Sequence, residues 1–208
     1  LNQLFANDLA LNEAILIGCD EAGRGALAGP VVVAACILPA DAFHEDLNDS
    51  KLLSAVKREK LDAWIREVAV DLAIIEIDNT TIDRVNILQA TLLGMKLAIE
   101  KLNRESALCL IDGISKPLID NPLRTVVKGD STHACIAAAS ILAKVHRDRL
   151  MLSLHESYPV YKFISNKGYG SKEHLRALAE YGPCPAHRYS YSPVAQTSIW
   201  QNLSEKGC

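Results

Sequence analysis

A layered α/β domain with a helical C-terminal portion is predicted for this 208-residue chain by three observations. Five short apolar runs have the length and composition of strands, and segments of helical period lie between and after them. Past about residue 155 the chain reads as short helices interrupted by Pro and Gly. Apolar residues make up 49% and charged residues 23%, the composition of a globular chain. At roughly 150 residues per domain, the length suits one main domain with an appendage.

Residues 14–19 (AILIGC) form the first apolar run, ending at Asp20-Glu21. A Gly-rich stretch separates it from residues 30–38 (PVVVAACIL), whose β-branched side chains mark a buried strand. Ser54 is a candidate N-cap for a helix reaching Val68, with Trp64, Ile65 and Val68 near helical spacing. Residues 72–77 are a third strand. Residues 87–102 place Leu88, Leu92, Met95 and Ile99 at helical period. Residues 107–111 (ALCLI) are a fourth strand ending at Asp112-Gly113, and residues 124–127 a short fifth ending at Lys128-Gly129-Asp130. The longest helix runs from Thr132 to about His155, with Ala137, Ile141, Val145 and Leu152 on one side and Lys144, Arg147 and Arg149 on other parts of its surface. Pro159 stops it. A loop containing residues 166–170 (NKGYG) leads to a helix over 171–181, and the tail ends in a helix-compatible stretch.

The net charge of −3 argues against a general polyanion binder, but the charge is unevenly spread. Residues 1–120 carry 11 Lys and Arg against 19 Asp and Glu; residues 121–191 carry 10 against 5, with five of the six histidines. A basic portion on an otherwise acidic chain fits a phosphate-binding face. The six cysteines stand singly, a spacing that fits neither a zinc site nor a disulfide scaffold, and read as buried reduced thiols. No apolar run approaches the roughly 20 residues of a membrane span. The first 18 residues lack Lys and Arg, which argues against a secretory signal. A cytoplasmic monomer without membrane contact is expected.

Three of the five strands end in acidic residues: Asp20-Glu21, Asp112 and Asp130. One such residue alone reads as a turn or a helix cap. If the three strand ends lie together, four carboxylates converge, and their repulsion is relieved only by a cation. Oxygen donors without a Cys or His pattern point to Mg²⁺ or Mn²⁺, and carboxylate-held ions of this kind serve phosphoryl-transfer chemistry. Side-chain alternation sets Asp20 and Glu21 on opposite faces of a regular strand, so both face one cleft only if the following glycines let the backbone turn.

Residues 23–28 (GRGALA) formally match the dinucleotide-binding fingerprint, but Gly29-Pro30 and a valine run follow where that motif requires a helix. A turn with bare backbone groups open to a ligand is the better reading, with Arg24 placed to meet a phosphate.

The segments DEAGRG (20–25), NDSK (48–51), LIDG (110–113), KGDS (128–131) and AASILAKV (138–145) occur in the order seen in ribonuclease HII, with Lys167-Gly168-Tyr169 and His187-Arg188 extending the match. Over about residues 14–193 the chain resembles that family, which hydrolyses the RNA strand of RNA/DNA hybrids and nicks duplex DNA 5′ of a single embedded ribonucleotide. The resemblance implies a ribonuclease H-like mixed sheet of five strands flanked by helices. Residues 1–155 would form the catalytic core, and residues 156–208 a helical portion completing the substrate-binding face. It makes Asp20, Glu21, Asp112 and Asp130 the metal-binding catalytic carboxylates, with Mg²⁺ or Mn²⁺ as cofactor. Gly23, Arg24 and Gly25 would read the ribose 2′-OH, the group that separates RNA from DNA. Tyr169 would pack on the sugar of the following deoxynucleotide.

Lys51, Lys128, Lys144, Lys167 and Arg188 are expected along the nucleic-acid backbone, Lys144 serving either the phosphate strand or a structural ion pair. His174 and His187 could shuttle protons or meet phosphate, and solvated surface histidine is the better reading of each. Departures from the family pattern are Ala26 where Pro is usual, Leu52 in place of a second lysine, and Asn166 where His is frequent. Gln196-Thr197-Ser198-Ile199-Trp200 faintly resembles the short peptides that dock on sliding clamps. A nucleic-acid binding protein without catalysis is the competing reading.

Overall fold

The computed structural model describes residues 2–197. Strands β1 (Leu16–Ala22), β2 (Val31–Ile37), β3 (Asp71–Ile77), β4 (Leu108–Asp112) and β5 (Leu123–Val126) form one sheet in the order β3-β2-β1-β4-β5. β1 is antiparallel to β2 and parallel to β4, and β4 is parallel to β5, giving the mixed sheet expected. The helices are α1 (Gln3–Ala10), α2 (Ala55–Val68), α3 (Asn79–Val85), α4 (Ile87–Leu102), α5 (Ala134–Ser157), α6 (Phe163–Asn166) and α7 (Lys172–Tyr181); residues 192–197 are also helical. By internal contacts the chain divides into two compact units. One comprises residues 2–22, 32–76 and 91–146; the other comprises residues 23–31, 77–90 and 147–197.

In the first unit the sheet has two covered faces, which is why β2 is buried along its whole length and reads as an unbroken apolar run. Ile17, Cys19, Val33, Ala35, Cys109 and Ile111 pack with Met95, Ala98, Ile99 and Leu102 of α4. Leu108 and Leu110, on the opposite face, pack with Cys135 and Ile136 at the start of α5. Gly18 lies on this second face because the α5 backbone comes too close for a side chain: a Cβ there would stand 2.0 Å from the carbonyl carbon of Cys135.

α5 begins at Ala134 rather than Thr132, and its cap comes from far away in sequence. Asp8 of α1 accepts from the Cys135 N–H at 2.8 Å and contacts His133 Nδ1 at 2.7 Å. Asn7 donates to the Thr132 carbonyl at 2.7 Å, so α1 clamps the turn that leads into α5. By contrast Ser54 caps α2 through the Lys57 N–H, and α4 spans the residues its period predicts.

The second unit has its own core of Leu27, Ala28, Met151, Tyr161, Phe163, Leu178 and Val194. Here the sequence expectation for α5 needs correcting. Arg147 is buried beside Met151, while Leu152 is 41% exposed. His174 and His187 are likewise fully buried rather than solvated. The five described cysteines are buried and unpaired, as expected. Among the described residues no helix is long and apolar enough to cross a membrane.

Candidate active site

In the first unit β1 and β4 run parallel, with Gly18 opposite Leu110 and Cys19 opposite Ile111. The next residues in that register, Asp20 and Asp112, stand side by side at the carboxyl ends of the two strands, the end where open α/β sheets place their chemistry. Alternation puts both on the face covered by α5, with Gly18 and Leu110. Asp130 lies four residues beyond β5, in a single 3₁₀ turn (Gly129–Ser131) just before α5. Glu21 pairs with Val33 in a ladder that stays regular to Ala22, so alternation places it with Cys19 on the α4 face. The turn that would bring it round to Asp20's side does not begin before Gly23.

Each aspartate is held by named donors. Asp20 accepts from the Glu21 N–H at 2.7 Å and also bonds Ser140 of α5, whose hydroxyl lies 3.0 Å from that of buried Ser50. Asp112 accepts from the Gly129 N–H at 2.7 Å. Asp130, 2% exposed, accepts from Lys51 Nζ at 2.8 Å. Lys51 is presented by a loop whose carbonyls at Ser50 and Leu53 both accept from Arg58. The sequence assigns no role to Ser50, Ser140 or Arg58; the signals it offers are that Ser50 and Ser140 lie in the family-like segments 48–51 and 138–145 and that Ser140 stands one helical turn after Ile136 on the same face.

Burial, then Glu21 and Asp112, push the Asp20 carboxyl well above the usual carboxylate range despite the Ser140 and Glu21 N–H bonds. Burial raises Asp112 as well, and the charge of Asp130 adds to it. The Lys51 ammonium is raised, chiefly by its bond to Asp130. Acidic groups held together against their own repulsion favour a nearby cation, and here the Lys51 ammonium sits 2.8 Å from one of them.

The donor set is oxygen only, which suits Mg²⁺ or Mn²⁺ and not zinc. Among the described residues no group of three or more His, Cys, Asp or Glu side chains is placed to hold a metal ion by itself. An open set fits Mg²⁺, which keeps several waters and takes only one or two carboxylates together with substrate phosphates. The residues therefore fit the ion that the sequence implied.

In the second unit, residues 23–30 form a loop between the ends of β1 and β2. Gly23 has φ +97°, and a Cβ there would lie 1.9 Å from Arg147 Nε. Over Gly25 only the Tyr169 ring would be met, at 3.9 Å. Packing thus demands the first glycine and leaves open space beside the second, next to a tyrosine ring that is 40% exposed. Gly23→Ala is expected to cost about 2 kcal/mol of stability, and Gly25→Ala to stay within about 0.5 kcal/mol, as read by thermal melting.

The basic residues are placed unequally. Lys128 is exposed in a left-handed conformation ahead of Asp130's turn, Lys144 is half-buried on α5, and Lys167 sends Nζ to the Ile164 carbonyl at 2.7 Å. Lys51 meets Asp130. Arg188 is corrected: it is fully buried, and its guanidinium donates to the carbonyls of Gly29 and Arg24 and to Tyr191 Oη, so it cannot line a phosphate backbone. Ser198, Ile199 and Trp200 of the clamp-like peptide lie outside the described residues.

A family model described as ribonuclease HII matches residues 17–194. The ribonuclease HII of Endomicrobium trichonymphae is 53% identical over 178 residues, 85% of this chain and 85% of that protein. Among solved structures, the ribonuclease H2 of Pyrococcus horikoshii OT3 superposes with a TM-score of 0.77 at 22% identity, over 90% of this chain and 99% of that one, a likeness of fold. A chain from the PCNA:RNase HII complex of Archaeoglobus fulgidus gives a TM-score of 0.69 at 25% identity, over 86% and 95%.

Proposed function

The chain belongs to the ribonuclease HII family, and from that premise we propose the reaction and the residues that perform it. As a ribonuclease H it hydrolyses the RNA strand of RNA/DNA hybrids. Our finer reading is that it also nicks duplex DNA 5′ of a single embedded ribonucleotide, leaves 5′-phosphate and 3′-hydroxyl ends, and serves ribonucleotide removal in replication and repair. The observation that carries this reading is the pair Asp20 and Asp112, the first buried and the second half-buried, adjacent near two parallel strand ends with Asp130 beside Asp112.

Asp20, Asp112 and Asp130 are the residues that would hold Mg²⁺ or Mn²⁺, and Glu21, which strand alternation sets on the other face of β1, would join them only if the strand end turns as the ion and substrate bind. Bound there, the ion supplies an activated water and neutralises the leaving oxygen of an in-line displacement. The protein's part is to fix the carboxylates in place through the Ser140, Gly129 and Lys51 contacts, so that little reorganisation accompanies substrate arrival. Gly23, Arg24 and Gly25 form the loop that reads the 2′-OH, and Tyr169 packs on the neighbouring sugar. Lys128, Lys144 and Lys167 follow the phosphate strand, and Lys51 meets it at the carboxylates. Residues 1–155 carry the cutting, and residues 156–208 contribute to substrate binding. The complex of the Archaeoglobus protein with PCNA supports a clamp-docking role for residues 196–200, to be tested by deleting residues 195–208 and measuring clamp binding.

Three labelled duplexes test the reading: all-DNA, DNA with one ribonucleotide, and a full RNA/DNA hybrid, each with Mg²⁺, Mn²⁺ or EDTA. Metal-dependent nicking 5′ of the lone ribonucleotide, with all-DNA intact, is the expected result. Cleavage of the hybrid alone would discard the junction-reading roles of the glycine loop and Tyr169. No cleavage of any duplex by folded protein would favour binding without catalysis.

A further inference from the structure

Burying a guanidinium is costly unless each of its donors finds a partner. The second unit buries two against one loop. Arg147, 1% exposed, sends Nε to the Pro30 carbonyl at 3.0 Å, one terminal nitrogen to Ala28 at 3.1 Å and the other to Lys167 at 2.9 Å. Its Cζ stands 5.4 Å from the centre of the Tyr169 ring, within cation–π range. Arg147 therefore touches both parts of the proposed reader, residues 23–30 and residues 167–169, and compensates its charge with main-chain dipoles. Two further observations join the same segments: the Leu27 N–H donates to the Gly168 carbonyl at 2.7 Å, and a Cβ on Gly168 would meet the Ala28 oxygen at 2.6 Å.

Arg188 works on the loop's other carbonyls through Nε and Nη1, while its Nη2 is buried without a hydrogen-bond partner among the described residues. It donates to Gly29 at 3.0 Å and to Arg24 at 2.9 Å, and Tyr191 Oη donates to the same Arg24 oxygen at 2.6 Å. In a trans peptide the N–H points opposite to the C=O. Drawing the Arg24 carbonyl inward therefore turns the Gly25 N–H outward, at the glycine whose surroundings are open.

We propose that Arg147 is a positioning residue that holds the Gly23–Pro30 loop and Tyr169 as one rigid reader of the ribose–deoxyribose junction, with Arg188 setting the direction of the Arg24–Gly25 peptide. The proposal rests on the substrate-reading roles given above to that loop and to Tyr169. It also assigns Gly23 a different task from Gly25: the first glycine makes room for Arg147, and the second makes room for the substrate. Burial lowers the Arg147 guanidinium to about 10, which leaves it charged at neutral pH and able to fill all of these contacts.

The test uses the full chain with Arg147→Lys, which keeps the charge but not the planar fork, and Arg147→Met, which keeps only bulk. Amide exchange is followed by mass spectrometry in residues 23–31 and 165–171, with residues 16–22 and 108–112 as internal reference. The ratio of nicking at a lone ribonucleotide to cleavage of a full hybrid is measured for each variant, for Tyr169→Ala and for Arg147→Lys combined with Tyr169→Ala.

The expected result is faster exchange in both reader segments, an unchanged reference, and a ratio lowered about tenfold or more. The double variant should be no worse than the worse single one, because one arrangement is broken in either case. Unchanged exchange in either segment, or losses that multiply in the double variant, would overturn the proposal. If Tyr169→Ala itself leaves the ratio unchanged, the sugar-reading role of Tyr169 fails, and exchange still decides whether Arg147 couples the two segments. Should neither Arg147 variant fold, Gly23→Ala presses a methyl on the same guanidinium and takes their place in the same measurements.

Discussion

Asp20→Asn and Asp112→Asn are each expected to lower kcat on an RNA/DNA hybrid by about a thousandfold or more, while the protein melts at the same or a higher temperature. The first half follows from removing a formal charge from the oxygen set proposed to hold the ion, where several kcal/mol of transition-state stabilisation are at stake and each 1.4 kcal/mol is about tenfold. The second half follows from the direction of the shifts. Both carboxyls are raised in the folded protein, by burial first and by their acidic neighbours after it. A carboxyl raised on folding contributes stability in its protonated form, and that contribution is lost as pH rises through the folded value.

At pH 7 the two raised carboxyls therefore oppose folding in the metal-free protein, and a neutral amide of nearly the same shape relieves the opposition. At a pH where the native aspartates are already protonated, the variants should gain nothing. Steady-state cleavage with Mn²⁺ and thermal melts with EDTA at two pH values check both halves. Retained cleavage would remove that residue from the site, and a clear loss of stability at pH 7 would mean that its carboxylate is structurally paired.

The acidic strand ends were legible because they depend on local pattern: an apolar run, then Asp, at three places along the chain. Their adjacency also needed the strand order, which the family resemblance implied and the parallel β1–β4 register now explains. α4 was legible for the same reason, since a 16-residue periodic segment announces itself. What could not be read depends on partners distant in sequence. α5 takes its cap from Asp8, 127 residues before Cys135, so Thr132 looked like the better start.

Arg147 looked like a surface residue because a charge on a helix usually is one. It sits at the i+4 position between Ala143 and Met151, both buried, and that spacing was the one available hint. α1 and α3, at 8 and 7 residues, are too short for a period to stand out. Their polar residues nonetheless tie distant segments together, as Asp83 of α3 does by accepting from the N–H groups of Tyr189 and Ser190.

Acidification is expected to destabilise the fold by roughly 3 kcal/mol between about pH 6.5 and pH 4, through His174 and His187. The two rings meet Nε2 to Nε2 at 2.9 Å. The Cys184 N–H donates to His187 Nδ1 at 3.0 Å, so neutral His187 carries its proton on Nε2 and donates it to His174. His174 then carries its own proton on Nδ1 and donates to the Tyr169 carbonyl at 2.9 Å. Every ring nitrogen then has a partner, His187 Nδ1 lying also 3.2 Å from Cys184 Sγ and 3.3 Å from the Cys184 carbonyl, and a further proton on His174 Nε2 would set donor against donor in a buried site.

Burial, and then the neighbouring His174, lower His187 from 6.5 to about 4, and burial lowers His174 too. Below the unfolded value the unfolded chain takes up a proton that the folded chain refuses, so stability is present above that pH and falls as the pH falls toward the folded value. Urea unfolding from pH 7.5 to 4 should therefore show a slope of about one proton that is lost in His187→Gln, whatever that variant's absolute stability. An unchanged slope would place the acid sensitivity elsewhere. Because the relay ends on the Tyr169 carbonyl, amide exchange at residues 167–171 should rise with acid before that of the sheet. Proton uptake by two histidines that touch no substrate would then loosen the residue proposed to read the sugar.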